Sequence, residues 1–117
     1  MIGFDLQEVS RIKNEDKLLE KIALENEIAY IDKFAKNRKE KVATLWAVKE
    51  AVFKALDISS GEISFKEIEL SHKESGAPIV KLTGKALKRF EELKGKEINV
   101  SISHQKNIVG AVVEIVK

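Results

Sequence analysis

The sequence predicts an α+β fold, with helices in the first half and mainly antiparallel strands in the second. Residues 42–56 contain no Gly or Pro and are apolar nearly all round, which is typical of a long buried helix. Residues 98–102 alternate as a strand, and the short link 103–107 joins them to a second strand, 108–116, as an antiparallel hairpin. These observations predict a small, mainly antiparallel sheet packed with helices.

The first residues, 2–7, form a short predicted strand. Because side chains alternate along a strand, Asp5 and Gln7 point to one face, and Phe4 and Leu6 point to the other. An acid on such a strand is most simply explained as a helix cap or a solvent-facing strand end.

Three segments lead to the central helix. Residues 10–24 are mostly helical in composition, with a polar break at 14–16, and residues 25–34 carry a helical apolar stripe. Residues 36–39 form a basic turn. The central helix is expected to end near Asp57, before a loop at 59–61.

The second half begins with a predicted strand at 63–70, which an imperfect alternation suggests is bulged. A turn at 74–78 leads to a second strand at 79–82. Thr83 is the expected cap of a helix that runs to about residue 93 and ends at 94–96.

Composition narrows the class of protein. The chain has 117 residues, which suits a single domain over 1–117 whose modest core would benefit from oligomerisation. A net charge of +2 does not suggest a protein built to bind nucleic acid. The chain has no Cys, no apolar run of membrane-spanning length, and an aspartate at position 5 that argues against a secretory signal. A cytoplasmic location is therefore expected.

The few charges on the central helix need an explanation. Glu50 and Lys54 lie one turn apart on a face lined by alanines, where small side chains would leave room for a ligand. An intrahelical ion pair at a solvent edge is the simpler explanation, and this stretch alone slightly favours it. Lys49 projects into the apolar arc and must reach solvent or find a partner.

The usual catalytic patterns are missing, apart from one weak signal. There is no G-x-S-x-G, P-loop or dinucleotide fingerprint, and neighbouring strand residues Ser103 and His104 point to opposite faces. With no Cys and two distant His, zinc is disfavoured. Two carboxylates, Asp5 and Glu50, with Lys54 one turn onward suit Mg²⁺ and phosphoryl-type transfer.

Five stretches, in order, resemble those of the holo-acyl-carrier-protein synthases, the small bacterial 4′-phosphopantetheinyl transferases. They are Gly3-Phe4-Asp5, the run from Trp46 to Ala55 containing Lys-Glu-Ala-x-x-Lys, the run from Ser64 to Glu69, Gly76-Ala77-Pro78, and Ser101-Ile102-Ser103-His104. The resemblance spans the chain. It implies the phosphopantetheinyl transferase fold and transfer of 4′-phosphopantetheine from coenzyme A to a serine of apo-acyl carrier protein, releasing adenosine 3′,5′-bisphosphate.

The resemblance also implies roles for single residues. Asp5 and Glu50 match the acidic Mg²⁺ ligands, Glu50 also matches the residue proposed to take the serine proton, and Lys54 matches the lysine that assists the departing phosphate. Arg11, and with it Lys13, would contact the acidic carrier protein. The coenzyme A contacts implied by the matching motifs and the loop after the helix are Lys49, Ser60, Gly61, Ser103 and His104.

The family typically forms trimers that hold coenzyme A between subunits, so the resemblance implies a homotrimer supporting fatty acid biosynthesis. Two departures bear on coenzyme A affinity. Leu45 stands where family members usually carry an arginine, for which Arg38, Lys39 or Lys41 would have to substitute. Residues 57–61 replace a usually glycine-rich loop, although backbone N–H groups and serine hydroxyls there still suit phosphate.

Two alternatives remain open from the residues. A non-catalytic basic module for RNA or an acidic protein is favoured by the basic turn at 36–39, but disfavoured by the low net charge and the lack of stacking aromatics. A related transferase serving polyketide or peptide carriers is disfavoured by the small size and the short N-terminal motif.

Overall fold

The computed structural model describes residues 1–59 and 61–117 and confirms the α+β class. The helices are α1 (Glu15–Ile22), α2 (Glu25–Asp32), α3 (Arg38–Leu56) and α4 (Gly84–Glu92). The strands are β1 (Ile2–Glu8), β2 (Ile68–His72), β3 (Pro78–Leu82), β4 (Glu97–Gln105) and β5 (Ile108–Val116).

The strands form two antiparallel sheets. In the larger sheet β5 lies between β1 and β4, and the smaller one is the β2–β3 hairpin. The predicted hairpin of β4 and β5 is confirmed, although β4 extends to Gln105 and leaves a tighter turn than expected. Asp5 pairs in register with Ala111 on the central strand, so the first motif lies beside the middle of the sheet.

Helix α3 is buried against the larger sheet, as its apolar composition predicts. At Ala51 and Ala55 the alanine face leaves no room for a ligand, contrary to what the sequence suggested, because β1 packs against it there. A Cβ built on Gly3 would lie 1.9 Å from the carbonyl oxygen of Ala51 and 2.5 Å from the amide nitrogen of Ala55. Only glycine lets the strand backbone approach the helix this closely.

Several element boundaries differ from the predictions. The polar break at 14–16 is a helix start, since the Asn14 side chain accepts a hydrogen bond from Lys17 N. Helix α3 begins at Arg38, four residues before the predicted start at Val42. The segment 63–70, which was predicted as one bulged strand, contains a 3₁₀ turn, Phe65–Glu67, and the first residues of β2. Thr83 occupies the cap position of α4 without making a side-chain capping bond.

The outer face of the larger sheet is apolar and exposed. Phe4 and Leu6 on β1 are 53% and 58% exposed, and Ile108 and Val112 on β5 extend the same surface. Among the described residues, no helix combines the length and apolarity needed to cross a bilayer.

Candidate active site

Asp5 lies on the inner face of β1, where Gly3 brings the strand against α3. Its side chain is only 10% exposed. The ammonium of Lys54 donates a hydrogen bond to Oδ1 over 3.1 Å, and the amide of Gln7 donates one to Oδ2 over 2.7 Å. The predicted strand alternation is confirmed, and Asp5 is neither a helix cap nor a solvent-facing acid.

The side chain of Lys54 extends from α3 to β1. Its Nζ also donates a hydrogen bond to the carbonyl of Phe4 over 3.0 Å, yet its side chain remains 53% exposed. A lysine held by two acceptors at the edge of solvent can leave one of them for an incoming anion. The structure therefore brings Asp5 and Lys54, 49 residues apart in sequence, into one site.

Glu50 lies one turn before Lys54 and is partly buried. Helical side chains lean toward the N-terminus of their helix, so Lys54 reaches Asp5 over the turn that carries Glu50. Within residues 1–59 and 61–117 the Glu50 carboxylate accepts no side-chain or backbone hydrogen bond. The simple intrahelical Glu50–Lys54 ion pair is therefore wrong, because Lys54 pairs with Asp5 instead.

Lys49 is not a coenzyme A contact in this geometry. Its side chain is fully buried, and Nζ donates hydrogen bonds to Glu27 Oε1 over 2.7 Å, Ile22 O over 2.6 Å and Phe65 O over 3.1 Å. All three ammonium protons are used, which leaves none for a phosphate. Burial lowers the pKa of Lys49, and the nearby Glu27 carboxylate opposes that shift. The expectation that Lys49 needs a partner is confirmed.

A groove of about 310 Å³ opens between α2, the start of α3, the β2–β3 hairpin and β4. Leu45, which replaces the expected arginine, lines it and is buried. Of the described residues that line the groove, Lys41 is the only lysine or arginine. It is the best placed of the three proposed substitutes, because Arg38 is occupied by Asp32, Asp16 and Glu15 at 2.8–3.0 Å.

His104 lies where this groove meets the exposed sheet face. It lines both the groove and a second, shallower depression along β1, β4 and β5 that also contains Ser103. His104 Nδ1 is 3.8 Å from Glu40 Oε2 at the start of α3. Ser103 and His104 of the last motif are thus at the surface, but neither contacts Asp5 or Lys54 within the described structure.

The remaining predicted contacts are at the surface or outside the described residues. Gly61 is exposed, with open space around its Cα, and Ser60 lies outside the described residues. Arg11 and Lys13 are exposed after β1, where Arg11 Nε lies 3.7 Å from Glu8. Both basic side chains are exposed, and the Arg11–Glu8 pair lies at the surface, where a partner can reach it.

Sequence reasoning missed two features beside the groove. Tyr30 stacks on His72 with ring centroids 4.1 Å apart, and burial, followed by the nearby Lys41, lowers the pKa of His72.

Glu27 is the buried partner of Lys49 and also accepts hydrogen bonds from the backbone of Leu24 and Leu70. A glutamate in the acidic first turn of a helix carries no sequence signal for such a role.

The donor set fits Mg²⁺ better than a metal that needs a closed protein cage. No group of three or more His, Cys, Asp or Glu residues capable of holding a metal occurs among the described residues. Mg²⁺ needs only one or two carboxylates when substrate phosphates and water complete its shell. Asp5 Oδ1 already accepts one cation, the Lys54 ammonium, so this oxygen is oriented to receive positive charge.

Comparison with known proteins identifies the family of the chain. Residues 1–113 match the family model of the 4′-phosphopantetheinyl transferase superfamily. A holo-acyl-carrier-protein synthase of Caldicellulosiruptor bescii is 42% identical over 115 residues, covering 95% of this chain and 93% of that protein. The enzyme of the same name from Treponema denticola is 34% identical, covering 97% and 95%.

Solved structures show the same architecture. The holo-acyl-carrier-protein synthase of Helicobacter pylori in complex with coenzyme A superposes with a TM-score of 0.83 at 29% identity, covering 99% of this chain and all of that one. The Neisseria meningitidis enzyme gives 0.85 at 28% identity, covering 99% and 97%. Fold, motifs and relatives agree, and the chain belongs to the 4′-phosphopantetheinyl transferase superfamily as an enzyme of the holo-acyl-carrier-protein synthase type.

Proposed function

We propose that this chain, acting as a single domain, transfers 4′-phosphopantetheine from coenzyme A to a serine of apo-acyl carrier protein and releases adenosine 3′,5′-bisphosphate. The observation that carries the proposal is the Asp5–Lys54 contact one turn beyond Glu50. This contact joins the first motif to the central one and pairs an acid of the first with a lysine of the second, which supports a shared site. The coenzyme A complex of the Helicobacter pylori relative supports the same donor.

Asp5 and Glu50 are the proposed ligands of Mg²⁺. When bound, Mg²⁺ would neutralise charge on the diphosphate and polarise its phosphorus toward attack. Asp5 is buried and hydrogen-bonded, so it supplies a fixed oxygen. Glu50 has no hydrogen-bond donor within the described residues, so its carboxylate is free to bind an ion or accept a proton.

The reaction breaks the bond between the β-phosphorus and the bridging oxygen while a serine oxygen bonds to that phosphorus. Glu50 would accept the serine proton, directly or through water. Negative charge then grows on the bridging oxygen and remains on the departing bisphosphate. Lys54 would leave Asp5 and neutralise that charge, which its half-exposed side chain allows.

The groove beside α3 is the proposed site of the nucleotide end of coenzyme A. Lys41 supplies positive charge, and the stacked His72 and Tyr30 provide a flat aromatic wall. His104 and Ser103 would contact coenzyme A from the edge of β4, and Gly61 with Ser60 from the loop after α3. These contacts are proposals from position and from the matching motifs.

The exposed apolar face of β1 and β5 supports a homotrimer. Monomeric proteins rarely expose a contiguous apolar patch of this kind without a partner. The depression on that face contains Ser103 and His104, so a second copy docking there would approach the coenzyme A groove. Arg11 and Lys13 would steer the acidic carrier toward the site, in the cytoplasm, to supply fatty acid biosynthesis.

The decisive experiment incubates the protein with apo-acyl carrier protein, coenzyme A and Mg²⁺ and measures the mass of the carrier. A gain of one phosphopantetheine arm is expected, and an unchanged mass across several divalent metals would contradict the proposal. Polyketide and peptide carriers in parallel test the related-transferase alternative. If either is modified faster than the acyl carrier, the assignment to fatty acid biosynthesis is wrong.

Glu50→Gln tests the proposed base and metal ligand. The rate should fall by about 10²–10⁴-fold, the usual contribution of general base catalysis. Glu91→Gln on the exposed face of α4 removes one acid from a helix elsewhere and is the matched control. A parental rate in Glu50→Gln would remove Glu50 from the mechanism.

A further inference from the structure

We infer that Gln7 is the positioning residue of the metal ligand Asp5. Its amide holds Oδ2 and thereby fixes the plane of the carboxylate, so that Oδ1 is the oxygen presented to a cation. The inference rests on the proposed function for the role of Asp5 as a metal ligand.

The strand places the two side chains together. Asp5 and Gln7 are two residues apart in β1 and share its inner face, with Ala111 and Val109 as their partners on β5. Gln7 Nε2 lies 2.7 Å from Asp5 Oδ2. The amide must present its nitrogen, because the carbonyl oxygen at that distance would repel the carboxylate.

The two oxygens of Asp5 have different partners. Oδ1 contacts the charged ammonium of Lys54, which is half exposed and would repel a divalent cation. Oδ2 contacts the neutral amide of Gln7, which does not repel the cation and can keep its hydrogen bond. Metal binding therefore displaces Lys54 and leaves Gln7 in place.

A fixed carboxylate matters because the site has few protein ligands. With two proposed ligands, Asp5 and Glu50, much of the affinity depends on how Asp5 is held. Residues that hydrogen-bond to metal ligands typically change metal affinity by about 10–100-fold when they are removed. Gln7 makes such a hydrogen bond to Asp5 within the described structure.

The test measures Mn²⁺ binding by electron paramagnetic resonance in the absence of coenzyme A, so that it does not depend on turnover. Gln7→Met keeps the side-chain length and removes the donor. Its Kd for Mn²⁺ should rise about 10–100-fold, with the midpoint of thermal unfolding close to the parental value. Asn26→Leu removes a similar amide–carboxylate bond, Asn26 Nδ2 to Glu69 Oε2 at 2.6 Å, and should bind Mn²⁺ like the parent.

Saturating Mg²⁺ should restore most of the transfer rate of Gln7→Met, which a loss of folded protein would not allow. If Gln7→Met unfolds, Gln7→Thr, which suits a strand but cannot reach Asp5, should show the same change in Kd. Parental Mn²⁺ affinity in the folded variant overturns the inference alone. Carrier modification by a parent that binds no Mn²⁺ either with or without coenzyme A overturns the metal assignment and the inference together. Gln7-dependent Mn²⁺ binding without carrier modification contradicts only the proposed function.

Discussion

Two lysines of helix α3, Lys49 and Lys54, each pair with a carboxylate from another element, and their surroundings are opposite. Lys49 is fully buried with three hydrogen-bond acceptors, whereas Lys54 is 53% exposed with two. The buried pair joins α2 and α3 and cannot open without leaving a charge in the core. The exposed pair can open at little cost, which the proposed movement of Lys54 to a phosphate requires.

The largest expected effect comes from breaking the buried pair. Lys49→Met leaves Glu27 charged and without its cation, which should lower the free energy of unfolding by about 3–5 kcal/mol in chemical denaturation. Coenzyme A affinity should match the parent in the folded fraction of Lys49→Met/Glu27→Gln, because Lys49 does not reach the groove and this variant leaves no unpaired carboxylate at position 27 in the groove wall. The double variant Lys49→Met/Glu27→Gln should recover part of the stability. Weaker coenzyme A binding with unchanged stability would restore Lys49 as a ligand.

Lys54→Met should show the reverse pattern. Its stability should change by less than about 1 kcal/mol, because the pair is half exposed, while the transfer rate falls about 100-fold. Mn²⁺ should bind more tightly than in the parent, because the ammonium no longer competes for Asp5 Oδ1. Lys88→Met on the exposed face of α4 is the matched control. Weaker Mn²⁺ binding would show that Lys54 supports the metal instead of competing with it.

The smallest effect concerns pH at the groove. Burial, and after it Lys41, holds the pKa of His72 below its ordinary value of 6.5. The unfolded chain therefore binds more protons than the folded one below about pH 6.5, and stability is lost as the pH falls through that window. In His72→Phe, which can still stack on Tyr30, denaturation at pH 7 and pH 5 should show a smaller loss than in the parent. An equal loss would exclude His72 as its source.

The sequence predicted the parts of this comparison that depend on periodicity. Alternation placed Asp5 and Gln7 on one face of β1, and helical spacing placed Glu50 and Lys54 one turn apart. Periodicity separates the two faces of a strand but does not say which one is covered. The polar face of β1 packs on α3, and the apolar face with Phe4 and Leu6 is left outside.

The other features of the fold and the site could not be predicted from the sequence, because they depend on contacts between distant segments. Lys49 was expected to need a partner, but no local pattern identifies Glu27, 22 residues earlier and on another helix. The 3₁₀ turn at Phe65–Glu67 was predicted as strand because its apolar residues alternate weakly. One of its carbonyls, Phe65 O, accepts a hydrogen bond from Lys49 Nζ, so the turn belongs to the same buried network.

The absence of a side chain at position 3 limits how this enzyme can be engineered. Replacing a strand glycine with valine ordinarily stabilises a sheet, because β-branched residues suit extended backbone. Here the added methyl groups would push β1 away from α3, since even one carbon on residue 3 would collide with the Ala51 carbonyl. The strand would shift as a unit and carry Asp5 away from Lys54, so a substitution meant to strengthen the fold would separate the two residues that join the proposed site.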